Sequence, residues 1–226
     1  MKTTEINESM KLRFMLLREN GYEVERAQKC LNFIHGGIEE APAPGKAGEL
    51  ADGVYLIDID GKPVLFTGQA LIGTEKSRYN RVGVKLGSKF LAIAMYDTCE
   101  DETTLTEEKG GTRFITDFHE AVADWNGEAN TEDMRNILSD AALVEDGKHI
   151  PALGELYFIL LHIREINAAL KAIDGEPMKG WYWSSTQSSA GDAWILDLNN
   201  GGAYFGTKAT LKGRVRAVSA FLPLNR

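Results

Sequence analysis

The pattern of apolar residues predicts two helices within residues 4–35. The second carries Val24, Ala27, Leu31 and Ile34 on one face, as an amphipathic helix does. Asn20-Gly21 and Gly36-Gly37 are typical helix ends, because glycine accepts the left-handed conformation. The Pro- and Gly-rich segment "APAPGKAG" follows. We therefore divide the chain into an N-terminal helical segment and linker, residues 1–45, and a domain, residues 46–226.

Alternating apolar and polar residues predict strands at both ends of this domain. "GVYLIDIDGKPVLF" indicates a hairpin with its turn at Asp60-Gly61, and "RVGVKLGSKFLAIAMYD" indicates two strands joined at Gly87-Ser88. The last 45 residues return to strand in "WYWSST", "AWILDLN", "AYFGTK" and "RVRAVSAFL". A turn is predicted at Asn199-Asn200-Gly201-Gly202.

Helices are predicted between these two sets of strands. Residues 112–124 indicate a short helix with a loop, and Asn130-Thr131 before two acidic residues is typical of a helix start. A single longer helix is predicted from Pro151 to about Ile173, with leucines and isoleucines at helical spacing. Strands, then helices, then strands is an α+β order.

Composition and charge exclude some classes of function. The 226 residues carry a net charge of −8, which argues against nucleic-acid binding, since phosphate contacts need clustered Lys and Arg. No apolar run has the length of a membrane span, and residues 1–20 lack the apolar stretch of a secretory signal, so we expect synthesis in the cytoplasm. Cys30 and Cys99 form no zinc-type spacing.

Candidate chemistry is sparse. His119-Glu120 near Asp117 and Asp124 leaves a metal or general-base site as one alternative, and the oxygen-rich "DWNGEANT" leaves calcium as another. The EF-hand spacing is absent, and no catalytic motif or acid–base pair stands out. We predict no catalytic residue, no metal and no cofactor.

Several ordered blocks between residues 50 and 226 resemble a bacterial C-type-lectin-fold domain. The main blocks are "DWNGEANTEDM", "IPALGELYFILLHIREINAALKAI", "GWYWSST", "AW" and "RVRAVSAF". The segments "DGVYLIDIDGK" and "GVKLGSKFLAIAMYD" resemble the opening strands that precede this unit. Such domains occur in gut Bacteroides and their phages and are similar to the lectin subclass of formylglycine-generating enzymes. The resemblance implies two helices packed on small antiparallel sheets, with the N- and C-terminal strands paired. It also implies an exposed ligand face between "WSST" and "VRAV".

Within that resemblance, Trp181, Trp183 and Trp194 belong mainly to the scaffold. Val215, Val218 and Phe221 would form the closing core strand. The calcium-ligating triplets of animal C-type lectins and the late cysteine pair of formylglycine-generating enzymes do not occur here. Protein binding is therefore favoured over calcium-dependent sugar binding and over oxidation.

Some members of this family resemble variable proteins of diversity-generating retroelements. Randomised AAC codons cannot encode Glu, Gln, Lys, Met or Trp, and between Ser188 and Leu211 only Trp194 and Lys208 belong to that set. The remaining residues are the small polar and aromatic types found in antibody loops. The sequence thus favours a diversified binding face.

We predict which side chains of this segment contact a ligand. Ala193, Trp194, Leu196 and Leu198 are assigned to the inward frame, and Tyr204 and Phe205 are the expected energetic centres. Ile195 and Asp197 are expected to share the outward face, by the period-2 geometry of a strand. The full predicted set is Ser189, Gly191, Asp192, Ile195, Asp197, Gly202, Tyr204, Phe205, Thr207, Thr210 and Leu211.

The sequence predicts a non-enzymatic recognition protein of a phage, prophage or bacterial surface. Its expected partner is a protein or surface receptor on a target cell, with no nucleic acid and no membrane insertion. The N-terminal helices either dock on the domain or join the chain to a larger assembly, and residues 1–36 are the candidate segment for virion assembly or self-association. A virion or cell surface is the expected location. Two alternatives stay open: an enzyme of the formylglycine-generating type and a purely structural assembly module.

Overall fold

A computed structural model of the chain describes residues 50–220. It is an α+β structure with antiparallel sheets, which confirms the predicted class at that level. The compact unit begins at Asp52. The predicted segment 1–45, its assembly role and Phe221 lie outside the described residues. No helix between residues 50 and 220 is long and apolar enough to cross a bilayer.

The first sheet has five strands. They are β1 (Gly53–Asp58), β2 (Pro63–Leu65), β3 (Tyr79–Leu86), β4 (Lys89–Ala94) and β8 (Val218–Ser219), in the order β2-β1-β3-β4-β8. The hairpin turns predicted at Asp60-Gly61 and Gly87-Ser88 are both present. Gly61 and Gly87 have φ of 80° and 61°, the left-handed conformation that glycine accepts most readily.

The predicted pairing of the N- and C-terminal strands is wrong in one respect. β8 enters the first sheet, but it pairs with β4 through Ala92↔Ser219 and Ile93↔Val218, not with β1. β1 already has β2 on one side and β3 on the other, so both of its edges are occupied by local hairpin partners. Local hairpins are the simplest pairing for consecutive antiparallel strands.

The second sheet has three strands, β5 (Trp181–Gln187), β6 (Asp192–Asp197) and β7 (Ala203–Thr207), in that order. All three were predicted from the sequence, β5 from its aromatic and β-branched residues and β6 from its alternation. Residues 199–202 form the predicted hairpin turn, where Gly201 has a φ of 79°. The long closing strand predicted for "RVRAVSAFL" is reduced in residues 50–220 to β8 and isolated bridges.

Four α-helices lie between the strands. They are α1 (Phe118–Ala123), α2 (Gly127–Met134), α3 (Leu153–Leu161) and α4 (Ile163–Ala172). The short helix predicted within residues 112–124 is confirmed as α1. The start predicted at Asn130-Thr131 is wrong, because both residues lie inside α2. There the Asn130 amide donates to Asp124, and the Thr131 hydroxyl accepts from the Ile150 N–H.

The single helix predicted from Pro151 to Ile173 is divided at His162, whose φ and ψ of −115° and 17° end α3. The division has a packing reason. α3 packs against β5 and β6 of the second sheet, whereas α4 packs against β1 and β3 of the first. Every residue of α3 is buried, while α4 keeps a polar face in solvent. One straight helix could not pack against both sheets, so the helix is interrupted at His162.

The position of His162 predicts a pH dependence of stability. Its Nε2 is buried with no hydrogen-bond partner among residues 50–220, and burial lowers its pKa from 6.5 to about 4. The unfolded chain therefore binds a proton at a higher pH than the folded chain does. The contribution of the neutral His162 to the free energy of unfolding is fully present above pH 6.5. It is lost as the pH falls towards about 4, and the loss is on the order of 3 kcal/mol.

His162→Phe keeps the size of the ring and its edge contact with Phe158, at a centroid distance of 5.7 Å, but cannot be protonated. We expect its free energy of unfolding to fall less than that of the wild type between pH 6.5 and 4. His119→Phe, at an exposed histidine, is the matched control and should follow the wild type. Denaturant titrations at both pH values measure this; equal losses in all three proteins would contradict the prediction.

The core beside the second sheet consists of buried apolar side chains from both sheets and the connecting segments. Its members are Leu105, Met134, Leu138, Ala142, Val144, Ile150, Trp183, Ala193, Ile195, Val215 and Ala217. Trp183 is fully buried and donates from Nε1 to the Thr103 carbonyl at 3.0 Å. Val215 and Val218 are buried as predicted. The core therefore supports one face of β5 and β6.

Candidate binding surface

Two large aromatic side chains are exposed on β7. Tyr204 is 44% exposed and Phe205 is 52% exposed. Tyr204 pairs across the strands with Ile195, and Phe205 with Trp194, so neighbouring residues of β7 point to opposite faces of the sheet. The predicted energetic centres are thus both at the surface, but a flat ligand on one face would contact only one of them.

Each exposed ring rests on a tryptophan. Trp181 and Tyr204 meet edge to face at a centroid distance of 5.0 Å, and Trp194 and Phe205 do so at 5.3 Å. The Trp194 indole donates to the Ile115 carbonyl at 2.8 Å and is itself buried. The scaffold role predicted for Trp183 and Trp194 is confirmed by their burial; Trp181 is half-buried. Each exposed ring of β7 is therefore supported on one side by a tryptophan.

The outward direction predicted for Ile195 and Asp197 is wrong. Ile195 is fully buried in the core, and Asp197 is buried as well. β6 is the central strand, with the core on one face and α3 against the other. Leu196 and Leu198 are buried too, as predicted. Period-2 alternation distinguishes the two faces of a strand, but here both faces of β6 are buried.

Asp197 has a structural task at the hairpin turn. Its carboxylate accepts from the Asn199 N–H at 2.9 Å and from the Asn200 amide at 2.6 Å. The Asn200 side chain in turn accepts from the Gly202 N–H at 2.7 Å. Gly202 is exposed at the tip, as predicted. These bonds determine where β7 begins.

The predicted residues at the β5–β6 turn are half-buried, and they bond to one another. The Ser189 hydroxyl donates to the Asp192 carboxylate at 2.9 Å and accepts from the Gly191 and Asp192 N–H groups. The polar atoms that would face a ligand therefore stabilise the turn itself.

The last three predicted residues differ in exposure. Thr207 and Thr210 are exposed. Leu211 is half-buried, packs against the core and covers Gly206, where its side chain occupies the space of a β-carbon. The expectation that Leu211 projects to a ligand is therefore wrong for most of its side chain.

The outer edge of β7 has no strand partner among residues 50–220. Asp197 N donates to the Gly202 carbonyl, and Lys208 N donates to the Gly191 carbonyl. Alternate residues of an antiparallel strand bond to the same neighbour, so the backbone groups of residues 203, 205 and 207 point away from β6. Thr207 O is used by the turn that follows, since it accepts from Leu211 N. The edge at residues 203 and 205 remains open within the described chain.

Two features near this surface were not predicted from the sequence. Phe114 is exposed and bridges to Gln187 at the end of β5, far from β7 in sequence. Lys208 is completely buried and donates from Nζ to the Gly110 carbonyl at 2.9 Å and to Gln187 Oε1 at 2.5 Å. Burial lowers the pKa of Lys208 to about 8, although Asp133 and Asp192 raise it in part. Nothing in a lone lysine of a polar segment indicates burial.

The oxygen-rich segment considered for calcium is a hydrogen-bonded structural site. The buried Asp124 carboxylate accepts from Asn126 N and Nδ2, from Asn130 Nδ2 at 2.6 Å and from Thr186 Oγ1 at 2.7 Å. Asp117 caps α1 by accepting from the Glu120 N–H at 3.0 Å. No three His, Cys, Asp or Glu side chains in residues 50–220 are grouped to hold a metal ion.

Comparison with solved structures shows a structural likeness at low sequence identity. No family model matches the chain, and no curated protein matches it. It is similar to a fimbrial protein from Bacteroides ovatus ATCC 8483, with 17% sequence identity and a TM-score of 0.48. The match covers 75% of this chain and 48% of that one, so the chain spans about half the length of the fimbrial protein. The C-type-lectin fold and the retroelement resemblance accordingly stay predictions.

Proposed function

We propose that the chain is a non-enzymatic recognition protein that binds an extended polypeptide segment of a receptor along the outer edge of β7. The main observation in support is that Tyr204 and Phe205 flank this edge on opposite faces of the sheet, and that each ring is supported by a tryptophan. A peptide strand added to β7 would contact both rings with alternate side chains, while its backbone bonds to the edge.

The character of the edge supports this proposal. Natural proteins usually protect an edge strand with charge, proline or a bulge, because an open edge pairs with other chains. β7, with the sequence AYFGT, contains no charged residue and no proline. An edge that is both unprotected and aromatic fits a surface kept open for a partner.

The resemblance to variable lectin-fold proteins adds a second support. Trp194 and Lys208, the two residues of Ser188–Leu211 that a randomised AAC codon cannot encode, are both buried. Gly202, Tyr204 and Phe205 are exposed and belong to the types that such codons do encode. A diversified surface on a constant frame would have this distribution.

The place of action follows from the same proposal. A receptor-binding protein of this kind acts on a virion or on a bacterial cell surface, with residues 1–36 joining it to an assembly or to further copies of itself. The enzyme alternative would need a late cysteine pair, whereas the chain has only Cys30 and Cys99.

Alanine at both positions 204 and 205 should remove binding. Peptides selected against the full chain from a displayed random library serve as the probe, and affinity is measured by titration. Two energetic centres worth about 2 kcal/mol each predict a loss of about 4 kcal/mol, which is about 1,000-fold in affinity. Each substitution should cost about 1 kcal/mol of stability, through the lost ring pair.

Two further variants test the position and the mode of binding. Tyr96→Ala, at an exposed tyrosine outside the second sheet, is the matched control and should leave affinity unchanged. Ala203→Pro removes an outward N–H while keeping both rings, so it should weaken strand addition without unfolding the sheet. Selected peptides that bind the double alanine variant as tightly as the wild type would contradict the site, as would a library that yields no binder.

A further inference from the structure

Lys208 is the most unusual ionisable group of the described chain. Its side chain is 0% exposed, and no carboxylate of residues 50–220 lies within ion-pair distance of Nζ. Its acceptors are two neutral oxygens, of Gly110 and Gln187. A buried ammonium without an anion is costly, so burial lowers the pKa of Lys208 to about 8 and makes the neutral amine accessible a little above neutral pH. A neutral lysine amine is a nucleophile.

An amide carbonyl lies directly against this amine. Gln187 is 1% exposed, and its Oε1 is 2.5 Å from Lys208 Nζ. Its Nε2 donates to Asp133 Oδ2 at 2.9 Å, so the amide is held between an amine and a carboxylate. Gly111, with a φ of 90°, is required beside it, because a β-carbon there would overlap the amide.

Asp133 is itself held in place. Its carboxylate accepts from Thr112 N and Thr112 Oγ1, both at 2.6 Å, and from Arg113 N at 3.2 Å. It is half-buried, so it joins the buried amide to solvent. Three distant segments therefore bring a nucleophile, an amide and a proton acceptor into successive hydrogen-bond contact. This is the composition of an amide-transfer site.

We propose that Lys208 and Gln187 form an intramolecular isopeptide bond with release of ammonia. The lone pair of Lys208 Nζ attacks Gln187 Cδ, a C–N bond forms, and the carbonyl electrons move onto Oε1. Nζ loses one proton through Oε1, its hydrogen-bond acceptor, to solvent, while Asp133, which contacts Nε2 and is half-exposed, passes one proton from solvent to Nε2. The Cδ–Nε2 bond then breaks, and Nε2 leaves as ammonia while the carbonyl re-forms. An amine and a primary amide become a secondary amide and ammonia, so no oxidant or co-reactant is needed.

The bond would join the end of β5 to the residue after β7. The two residues are 21 apart, and the loop between them is the hairpin of β6 and β7. A covalent closure of this loop reduces the freedom of the unfolded chain, as a disulfide does. Cys99 is the one cysteine of residues 50–220, so no disulfide can do this within the described chain. The bond would hold the β7 edge rigid.

Mass spectrometry of the purified full chain tests the proposal directly. The intact wild type should be lighter than its sequence mass by one ammonia, and trypsin should not cut after Lys208 in the denatured protein. Tandem spectra should show one branched peptide that contains both Lys208 and Gln187. Lys208→Met and Gln187→Met should have their full sequence mass. Lys212→Met, at an exposed lysine nearby, should keep the mass loss.

A loss of ammonia that persists in Lys208→Met would place the reaction elsewhere, for example at Asn200-Gly201, and would overturn the proposal. Asp133→Asn should slow formation of the bond at least about tenfold, in the range of a lost acid–base group. The direct result does not depend on any variant. Wild-type protein that keeps free Lys208 and Gln187 after long incubation at about pH 9, where the amine is mostly neutral, would also overturn it.

Discussion

Replacing Arg216 with methionine should lower the free energy of unfolding by about 3–5 kcal/mol, since it breaks a buried ion pair from one side. The guanidinium is fully buried and donates from Nε to Asp97 at 2.6 Å. Its Nη1 and Nη2 atoms also donate to the carbonyl oxygens of Ala94, Met95 and Glu176. Methionine fills a similar volume but leaves a buried carboxylate with less compensation and three carbonyls without this donor.

Denaturant unfolding of Arg216→Met and of a matched control measures this effect. Arg164→Met, on the exposed side of α4, makes the same chemical change and should alter stability by no more than about 0.5 kcal/mol. The Asp97 carboxylate keeps Arg214 at 3.0 Å and the Tyr182 hydroxyl at 3.1 Å, so we expect the variant to fold. Equal stabilities of the two variants would contradict the assignment of Arg216 to the core network.

Replacing Asp124 with alanine should also cost about 3–5 kcal/mol. The carboxylate stands at the end of α1 and joins it to two further elements, because its donors come from the start and the interior of α2 and from β5. Removal leaves Asn126, Asn130 and Thr186 with unsatisfied donors. Each buried donor without an acceptor costs about 1–3 kcal/mol. Thermal or denaturant unfolding of the variant measures the loss.

Asp117→Ala is the matched control for Asp124→Ala. Asp117 is a nearby acidic residue that caps α1 at the surface, and its loss should cost about 1 kcal/mol. The same experiment tests the calcium alternative. We expect a strong calcium chelator to leave the unfolding of the wild type unchanged, because hydrogen-bond donors already occupy the Asp124 oxygens. A chelator effect that disappears in Asp124→Ala would support calcium instead.

The proposed crosslink and the proposed binding edge lie on the same hairpin. Recognition through a strand edge loses affinity if the edge must first be ordered, since ordering costs free energy on binding. Trp181 and Trp194 hold the rings of β7, and the Lys208–Gln187 contact holds the end of the strand. The proposed site therefore joins exposed aromatic side chains to a buried support beneath them.

The sequence by itself determined the turns and most of the strands of this protein. The turns at Asp60-Gly61, Gly87-Ser88 and residues 199–202 were predicted because a left-handed backbone is a local requirement that glycine meets. The strands β5, β6 and β7 were predicted for a similar reason, since alternation and β-branched or aromatic side chains act within a few residues. The α+β class followed from the order of these elements.

Only the tertiary structure decided which surfaces are exposed to solvent and which residues distant in sequence are in contact. Ile195 and Asp197 alternate with Leu196 as an exposed face would, yet α3 and the core cover both sides of β6. A period of two distinguishes two faces but does not say how many layers cover them. The break at His162 likewise depends on two sheets that each need a helix.

The approach of Lys208 to Gln187 and Asp133 has the same origin. These residues come from three segments, and no periodicity relates them, because their contact is made by the packing of β5, α2 and the end of β7. Local propensity acts over a turn or two of chain, whereas burial depends on what the rest of the chain brings alongside. The turns and strands of the chain could therefore be predicted from its sequence, whereas the buried amine of Lys208 and the open edge of β7 are visible only in its fold.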